Sequence, residues 1–593
     1  MKAKLARRDV LRSSAMGAAA ALLAACGATP AATTAPAAEP TATTAPGQAE
    51  ATAAPAEAEP TATTAAAAEP TATEAVSAPT EAPTAAVIEG EGQYGGTYRL
   101  ISSGFVSLDP PGAEVSADWW MAGTLLYSYL YSYDPDGKIF PDLAAEMPAL
   151  SDDGLVYTIP LRHGVKFHNG REMVADDVKF SLDRSLWPET YSWGKQFMQN
   201  IVGYDEVIAG SSKELSGVKV LDDYTIEITL KTPQAVFPAI LSMTMNGIIP
   251  HQEMLDAGED WGVTKAIGTG PFKFVEWVQG QKVTLERNPD FFRQPYPYFD
   301  RVEIYLDVED SVAMMRWESN EVEWVSPPSA EVPRILTDPQ FEPAIRKGPS
   351  LGMNRLFFRM DSETFQDIRV RQAVAMAIDK QAMVQASSGL AVVQEGLYTP
   401  VMAQFDPAFK SKYQYDPEAA KALLAEAGFP DGIKGIKSSG YEITMDMVQA
   451  DLAAIGIELD WYVSTAETFD QFRAGELPFG MHSWGASFPD GFDYVSGWVT
   501  CASARAEGTY NFGNYCNEKI DQLMAQAEKL AIDSPERLAL YREIQDIAVN
   551  QDVAIIPLTS GIGLALSKPY VHGDVRHFIF GHPALERAWM EQG

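Results

Sequence analysis

The sequence predicts a mixed α/β fold divided into two or more lobes. First, 593 residues are too many for a single hydrophobic core. Second, strand-like alternation recurs. Val218 and Val220, then Tyr224, Ile226, Ile228 and Leu230, alternate with polar residues across Asp222-Asp223, and Phe272, Phe274, Val283 and Leu285 repeat the pattern around Gln279-Gly280. Third, helices are equally legible. Ser534 and Pro535 open one whose apolar stripe is Leu538, Tyr541, Ile544 and Ile547; another begins at Asp416-Pro417, carries Leu423 and Leu424, and stops at Gly428. The composition, 46% hydrophobic and 21% charged, is globular, and a net charge of −35 excludes sequence-independent nucleic-acid binding, which needs clustered Lys and Arg.

Residues 1–26 read as an export signal. Arg7 and Arg8, followed by Asp9, Val10 and Leu11, resemble a twin-arginine signal. The apolar run from Ala15 to Ala25 falls short of the roughly 20 residues that span a bilayer. It ends in Leu23-Ala24-Ala25-Cys26, which resembles the lipobox of bacterial lipoproteins, where the Cys26 thiol would be diacylated. Two acyl chains suffice for stable anchoring. The expected location is therefore extracytoplasmic, at the cell membrane, in the periplasmic space or on the cell surface. Residues 27–93 are rich in Ala, Thr, Pro and Glu, repeat Glu-Pro-Thr-Ala-Thr at Glu39, Glu59 and Glu69, and hold no aromatic residue before Tyr94. Such a segment cannot offset its ordering entropy and reads as a disordered tether with an extended contour approaching about 200 Å. An adhesive or glycosylated stalk is the alternative. With Cys26 assigned to lipid, Cys501 and Cys516 remain; an even pair in an exported chain reads as a disulfide, with two free buried thiols as the alternative.

Four segments carry a family resemblance: LRHGVKFHNGREMVADDVKFSLDR from Leu161, GTGPFKFVEWVQGQKVTLERNPDFF from Gly268, DIRVRQAVAMAIDK from Asp367 and DPEAAKALLAEAGFPDG from Asp416. In that order they resemble the peptide/nickel class, family 5, of bacterial extracellular solute-binding proteins. Their residues are mostly scaffold: Gly268, Gly270 and Pro271 punctuate a turn, Val370, Val374 and Ile378 share a helical face, and His163 and His168 read as structural. The resemblance implies a two-lobed periplasmic-binding-protein fold with a hinge and an extra subdomain in the first lobe. It divides the chain into lobe I at 94–348, lobe II at 349–556 and a return to lobe I at 557–593, with crossings near Gly348–Gly352 and Ile556–Leu558. It also implies a monomer without cofactor, working with the permease and ATPase subunits of an ABC importer on a small-molecule or short-peptide ligand.

The segment HSWGASFPDGFDY, from His482 to Tyr494, is the expected ligand loop. Peptide-binding members carry a Trp followed three residues later by an Asp that holds the peptide ammonium. Trp484 matches the Trp, but the Asp position is Ser487, and Asp490 matches a later acidic residue of the loop. Losing one member of a buried charge pair costs about 2 to 5 kcal/mol, so peptides should bind weakly unless Asp490 or another carboxylate substitutes. His482 beside Trp484 keeps a nickel chelate in view, and the missing Asp favours an oligosaccharide or other polar solute. Trp119 and Trp120, with Tyr127, Tyr129, Tyr131 and Tyr133, form an aromatic cluster of which most should be core and one or two should line a cleft; Ser128 stands there where relatives often have Glu. The stretch between Gly432 and Met447 is shorter than the family's, so a lobe II strand is expected to be shortened or lost. His572, His577 and His582 have a spacing that suits no metal motif and are expected in exposed loops. No G-x-S-x-G elbow, H-E-x-x-H helix or P-loop occurs, so an enzyme is not expected. A purely adhesive protein is the remaining rival, prompted by the tether.

Overall fold

Both hairpins form where the alternation places them: Val218–Asp222 pairs antiparallel with Thr225–Thr229, and Phe272–Val278 with Lys282–Arg287. Both helices form as well, with Ser534 accepting from the Arg537 N–H and Asp416 from the Ala419 N–H at their N-termini. The computed structural model describes residues 92–592 except Ser103, Glu114, Val115, Pro135, Asp136 and 506–509. The export signal, Cys26 and nearly all of the tether lie outside the described residues.

An eleven-stranded sheet runs through the molecule in the order Ile457–Val463, Ile433–Gly440, Phe479–Gly485, Ile345–Phe358, Ile555–Ser567, Trp324–Val325, Thr97–Ser102, Arg301–Leu306, Lys282–Arg287, Phe272–Val278, with Ala391–Val393 adding to Ile555–Ser567. Its centre is the antiparallel pair Ile345–Phe358 and Ile555–Ser567. At one end Ala344 and Leu566 pack with Trp317 and Phe341; at the other Leu356, Phe358, Ile556 and Leu558 join the core that helices Ile368–Ala377 and Glu442–Ala454 cover. The ladder breaks register between Pro349 and Met353, opposite Ser560 to Ile562. The first break falls within the expected crossing at Gly348–Gly352. Ile556 and Leu558, on the partner strand, pack in the second core. A separate four-stranded antiparallel sheet, Ala149–Leu150, Val156–Pro160, Thr225–Thr229 and Val218–Asp222, has its own core with helix Ala175–Ser185.

The strand doubted between Gly432 and Met447 is present. Ile433–Gly440 pairs with both neighbours, with one extra residue in a register irregularity between Ile433 and Ile436, where Gly435 takes φ +68°. Cys501 and Cys516 are joined by a disulfide.

The family segments also contact one another. His168 accepts from the Gly268 N–H at 3.2 Å and lies 3.1 Å from the Gly270 carbonyl, and burial pushes its pKa down to about 3. The Gly268 turn is pressed so close to the 125–127 backbone that a Cβ there would lie 2.0 Å from the Leu126 carbonyl oxygen. Gly268→Ala should therefore destabilise the protein by about 1–3 kcal/mol, read as a lower urea midpoint; an unchanged midpoint would mean the turn can move aside.

Candidate ligand-binding site

Trp484 lies near the end of strand Phe479–Gly485, in register with Met353, while His482 pairs with Arg355. Strand alternation puts Arg355, His482 and Trp484 on one face of the sheet. Tyr510, on the segment closed by the disulfide, sets its ring 4.1 Å from that of Trp484 at 40°, and together the two make an aromatic wall. Behind it, the Arg355 guanidinium lies 3.7 Å over the Trp498 ring, 3.0 Å from His482 Nδ1, and donates to the Tyr510 carbonyl at 3.3 Å. Arg355 is buried, its Nε has no partner, and it has no carboxylate within ion-pair distance among the described residues; burial lowers its pKa to about 9. His482 is not at the surface of the site. It is 3% exposed, and burial and the adjacent guanidinium hold its pKa well below the ordinary value, so the neutral ring accepts from Arg355. A guanidinium in that position opposes a metal cation on Nδ1.

Asp490 is likewise occupied. It caps helix Gly491–Trp498 through the Phe492 N–H at 2.9 Å, receives Arg537 in a bidentate pair at 2.7 and 2.9 Å, and accepts from Gln404 at 2.8 Å. Each carboxylate oxygen thus has two donors, which leaves it no place for a ligand ammonium. Arg537, fully buried on helix Pro535–Gln545, also bonds Glu528 at 2.9 Å. On that helix Leu538 is only half-buried while Arg537 is the inward residue, a correction to the apolar stripe.

The carboxylate that reaches Ser487 is Asp493. Its Oδ2 accepts from the Ser487 N–H at 2.5 Å, and Ser487 itself is 7% exposed. Burial raises the Asp493 pKa to about 7 against the lowering effects of the Ser487 N–H and Trp484, and no cation lies within ion-pair distance among the described residues. Asp493 stands one helical turn after Asp490, a spacing visible in the sequence; what the sequence could not show is that Arg537 takes the first acid and leaves the second hydrogen-bonded but without a cation.

The two adjacent tryptophans of the N-terminal cluster separate. Trp120 is fully buried, donates to the Pro583 carbonyl at 3.0 Å and stacks on His582 at 5.0 Å, so it is a core residue and not a ligand contact. Trp119 is half-buried, donates to Thr244 at 2.7 Å and meets Phe580 edge-on at 5.4 Å. Tyr127, Tyr129 and Tyr133 line a cavity of about 150 Å³ bounded by the returning segment 573–587. Tyr133 and Ile579 also pack in the cluster that contains Trp484 and Tyr398. The three C-terminal histidines are not all exposed: burial lowers the pKa of His577 and of His582 to about 4, and His572 bonds Glu591 at 3.0 Å.

Residues 138–506 match the model of the bacterial extracellular solute-binding proteins, family 5 (middle region). The chain belongs to that family. The solute-binding chain is 29% identical over 470 residues to di/tripeptide-binding protein 2 of Pseudomonas aeruginosa, covering 76% of this chain and 86% of the relative. It is also 29% identical over 490 residues to heme-binding protein A of Haemophilus influenzae, covering 78% and 86%. Among solved structures, the periplasmic binding protein DppA of Helicobacter pylori in complex with the peptide STSA superimposes with a TM-score of 0.69 at 26% identity, over 84% of this chain and 99% of that one. The fold is thus the two-lobed periplasmic-binding-protein fold, and the chain is a substrate-binding component of the ABC-importer type.

The absence of a cation at Asp493 should show in stability. Its folded pKa of about 7 lies above the ordinary 3.8, so the folded state favours the protonated acid, and folding is penalised increasingly as pH rises from about 4 to 7. Asp493→Asn should therefore exceed the parent in stability above pH 7, by up to about 4 kcal/mol, with the gain vanishing near pH 4. Urea denaturation at both pH values checks this; a pH-independent difference would mean the acid is not shifted.

Proposed function

We propose that this protein is the extracytoplasmic receptor of an ABC importer for short peptides with a free amine, tethered to the membrane by diacylated Cys26 and acting as a monomer with a permease and an ATPase. The observation that carries the peptide reading is Asp493: a buried carboxylate beside Ser487 and Trp484, with no cation of its own. A ligand ammonium would supply that cation, at the loop where the family resemblance expects an acid. Peptide-binding relatives support the reading, as does their being transport binding proteins and not enzymes. Among the described residues no helix is long and apolar enough to cross a membrane; the proposed anchor is the pair of acyl chains on Cys26. The proposed lobes, 94–348 and 349–556 with the return at 557–593, would close about the two crossing strands, at the register break.

A second reading is an oligosaccharide or other uncharged polar solute. It is favoured by the flat Trp484–Tyr510 wall and by an Asp493 that is partly protonated near pH 7. A nickel chelate held by His482 has no such support, because Arg355 faces the ring nitrogen.

The two readings separate by calorimetry of a tripeptide and its N-acetylated form. Ammonium binding needs ionised Asp493, so affinity for the free-amine peptide should fall as pH drops below 7, by up to about tenfold per unit. Asp493→Asn should remove both the pH dependence and the preference over the acetylated peptide. Equal binding of the two peptides by the parent would sink the amine reading; binding of oligosaccharides alone would establish the second.

A further inference from the structure

The cavity of about 150 Å³ is built from one side of the molecule only, by Tyr127, Tyr129, Tyr133 and Phe140 against Ile579 and Phe580. Along the returning segment, Gly573, Val575, His577 and Ile579 face it, whereas Asp574, Arg576 and Phe578 do not. Part of its charged edge is closed on itself, Arg293 pairing with Asp142 and, through Nη2 and Nε, with Glu586, the last at 3.0 Å, while Arg587 lies 5.4 Å over the Tyr296 ring. Thr124 and Ser242 direct their hydroxyl hydrogens to the Trp120 and Ala239 carbonyls. No lining side chain holds a buried polar atom without a hydrogen-bond partner. The cavity therefore presents aromatic faces, with the polar groups of Ser132, Tyr133, His577 and Arg587 at its edge. Its volume of about 150 Å³ is of the size that takes up a benzene ring.

Two contacts join it to the candidate site. Phe580, whose ring sits so close to Gly123 that a Cβ there would fall 2.3 Å from its Cζ, forms both a wall of the cavity and the edge-on partner of Trp119. Tyr133 and Ile579 form another wall and pack in the cluster that holds Trp484.

We propose that this cavity is a side-chain subsite for one small aromatic ring of the transported solute. The inference rests on the solute-binding reading above and adds to it a class of ligand: short peptides or other solutes bearing a benzyl- or phenol-sized group. Burying such a ring is worth at least about tenfold in affinity.

The test has two arms. In the first, benzene is added to the purified protein, which should gain thermal stability, whereas Ala584→Leu and Ser132→Leu, each placing bulk in the cavity, should be indifferent to it. No shift in the parent, or the same shift in both variants, overturns the site. In the second, otherwise identical tripeptides carrying Phe or Gly at each position in turn are compared by calorimetry. The parent should favour Phe at one position by about tenfold or more, and the filled variants should lose that preference while keeping their affinity for the Gly peptide. Equal binding of Phe and Gly peptides overturns the subsite role. If no peptide binds at all, the peptide reading fails, and the benzene arm still decides whether the cavity takes a ring.

Discussion

The antiparallel pairing of Ile345–Phe358 with Ile555–Ser567 is the constraint on which the other elements depend. These strands are separated by some two hundred residues of chain, yet they share one ladder, and each end of that ladder is buried in a different core. The residues between them fold as an excursion that must return to the same edge, and the final segment is thereby delivered back against Thr97–Ser102 and the Tyr127–Tyr133 stretch. Phe578, Ile579 and Phe580 reach the candidate site only because the second strand carries them there. The ladder is broken in its middle, where Gly348 pairs with Gly563 and the break between Pro349 and Met353 leaves Gly352 and Gly561 unpaired across it. Backbone freedom is concentrated at the place where the two cores would have to turn against each other.

The electrostatics of the site follow from which charges find partners. In a chain with 80 acidic and 45 basic residues, carboxylates claim Arg537 (Asp490 and Glu528), Arg184 (Asp109) and the half-buried Arg293 (Asp142 and Glu586), while buried Arg371 is held by the carbonyls of Phe365 and Asp552. Arg355 and Asp493 stand out against that pattern. Each is buried, and each lacks an opposite charge within ion-pair distance among the described residues, so the pKa values of both move toward neutrality, down to about 9 and up to about 7. They do not neutralise one another, because the Trp498 ring and His482 engage Arg355 while the Ser487 N–H holds Asp493. A ligand that brings charge to such a place gains more from each contact than it would in water, since the desolvation cost has already been met by folding.

Much of the scaffold was legible in the sequence because it is local. A hairpin needs only alternation and a turn, and a helix needs only a cap, a stripe and a stop; both hairpins and both helices appear where those signals lie. The family segments were legible for a related reason: Gly268 is fixed by the backbone of Leu126 and by His168, a contact that tolerates little substitution. The site was legible only in part. Trp484 and Trp119 are half-buried against the rings of Tyr510 and Phe580, but Trp120, one position from Trp119, points into the core, and His482, two positions from Trp484, is sealed behind Tyr510.

The sequence by itself determined the mixed α/β class, the order of the hairpins and helices, and the family, because these rest on periodicity, capping and motifs read within a few residues. The tertiary structure alone decided that Arg537 is spent on Asp490, that Asp493 is the acid left beside Ser487, and that three tyrosines share a cavity with residues 573–587. Those outcomes depend on pairings between residues far apart in the chain, and a charge or a ring becomes available to a ligand only when no such distant partner has already taken it.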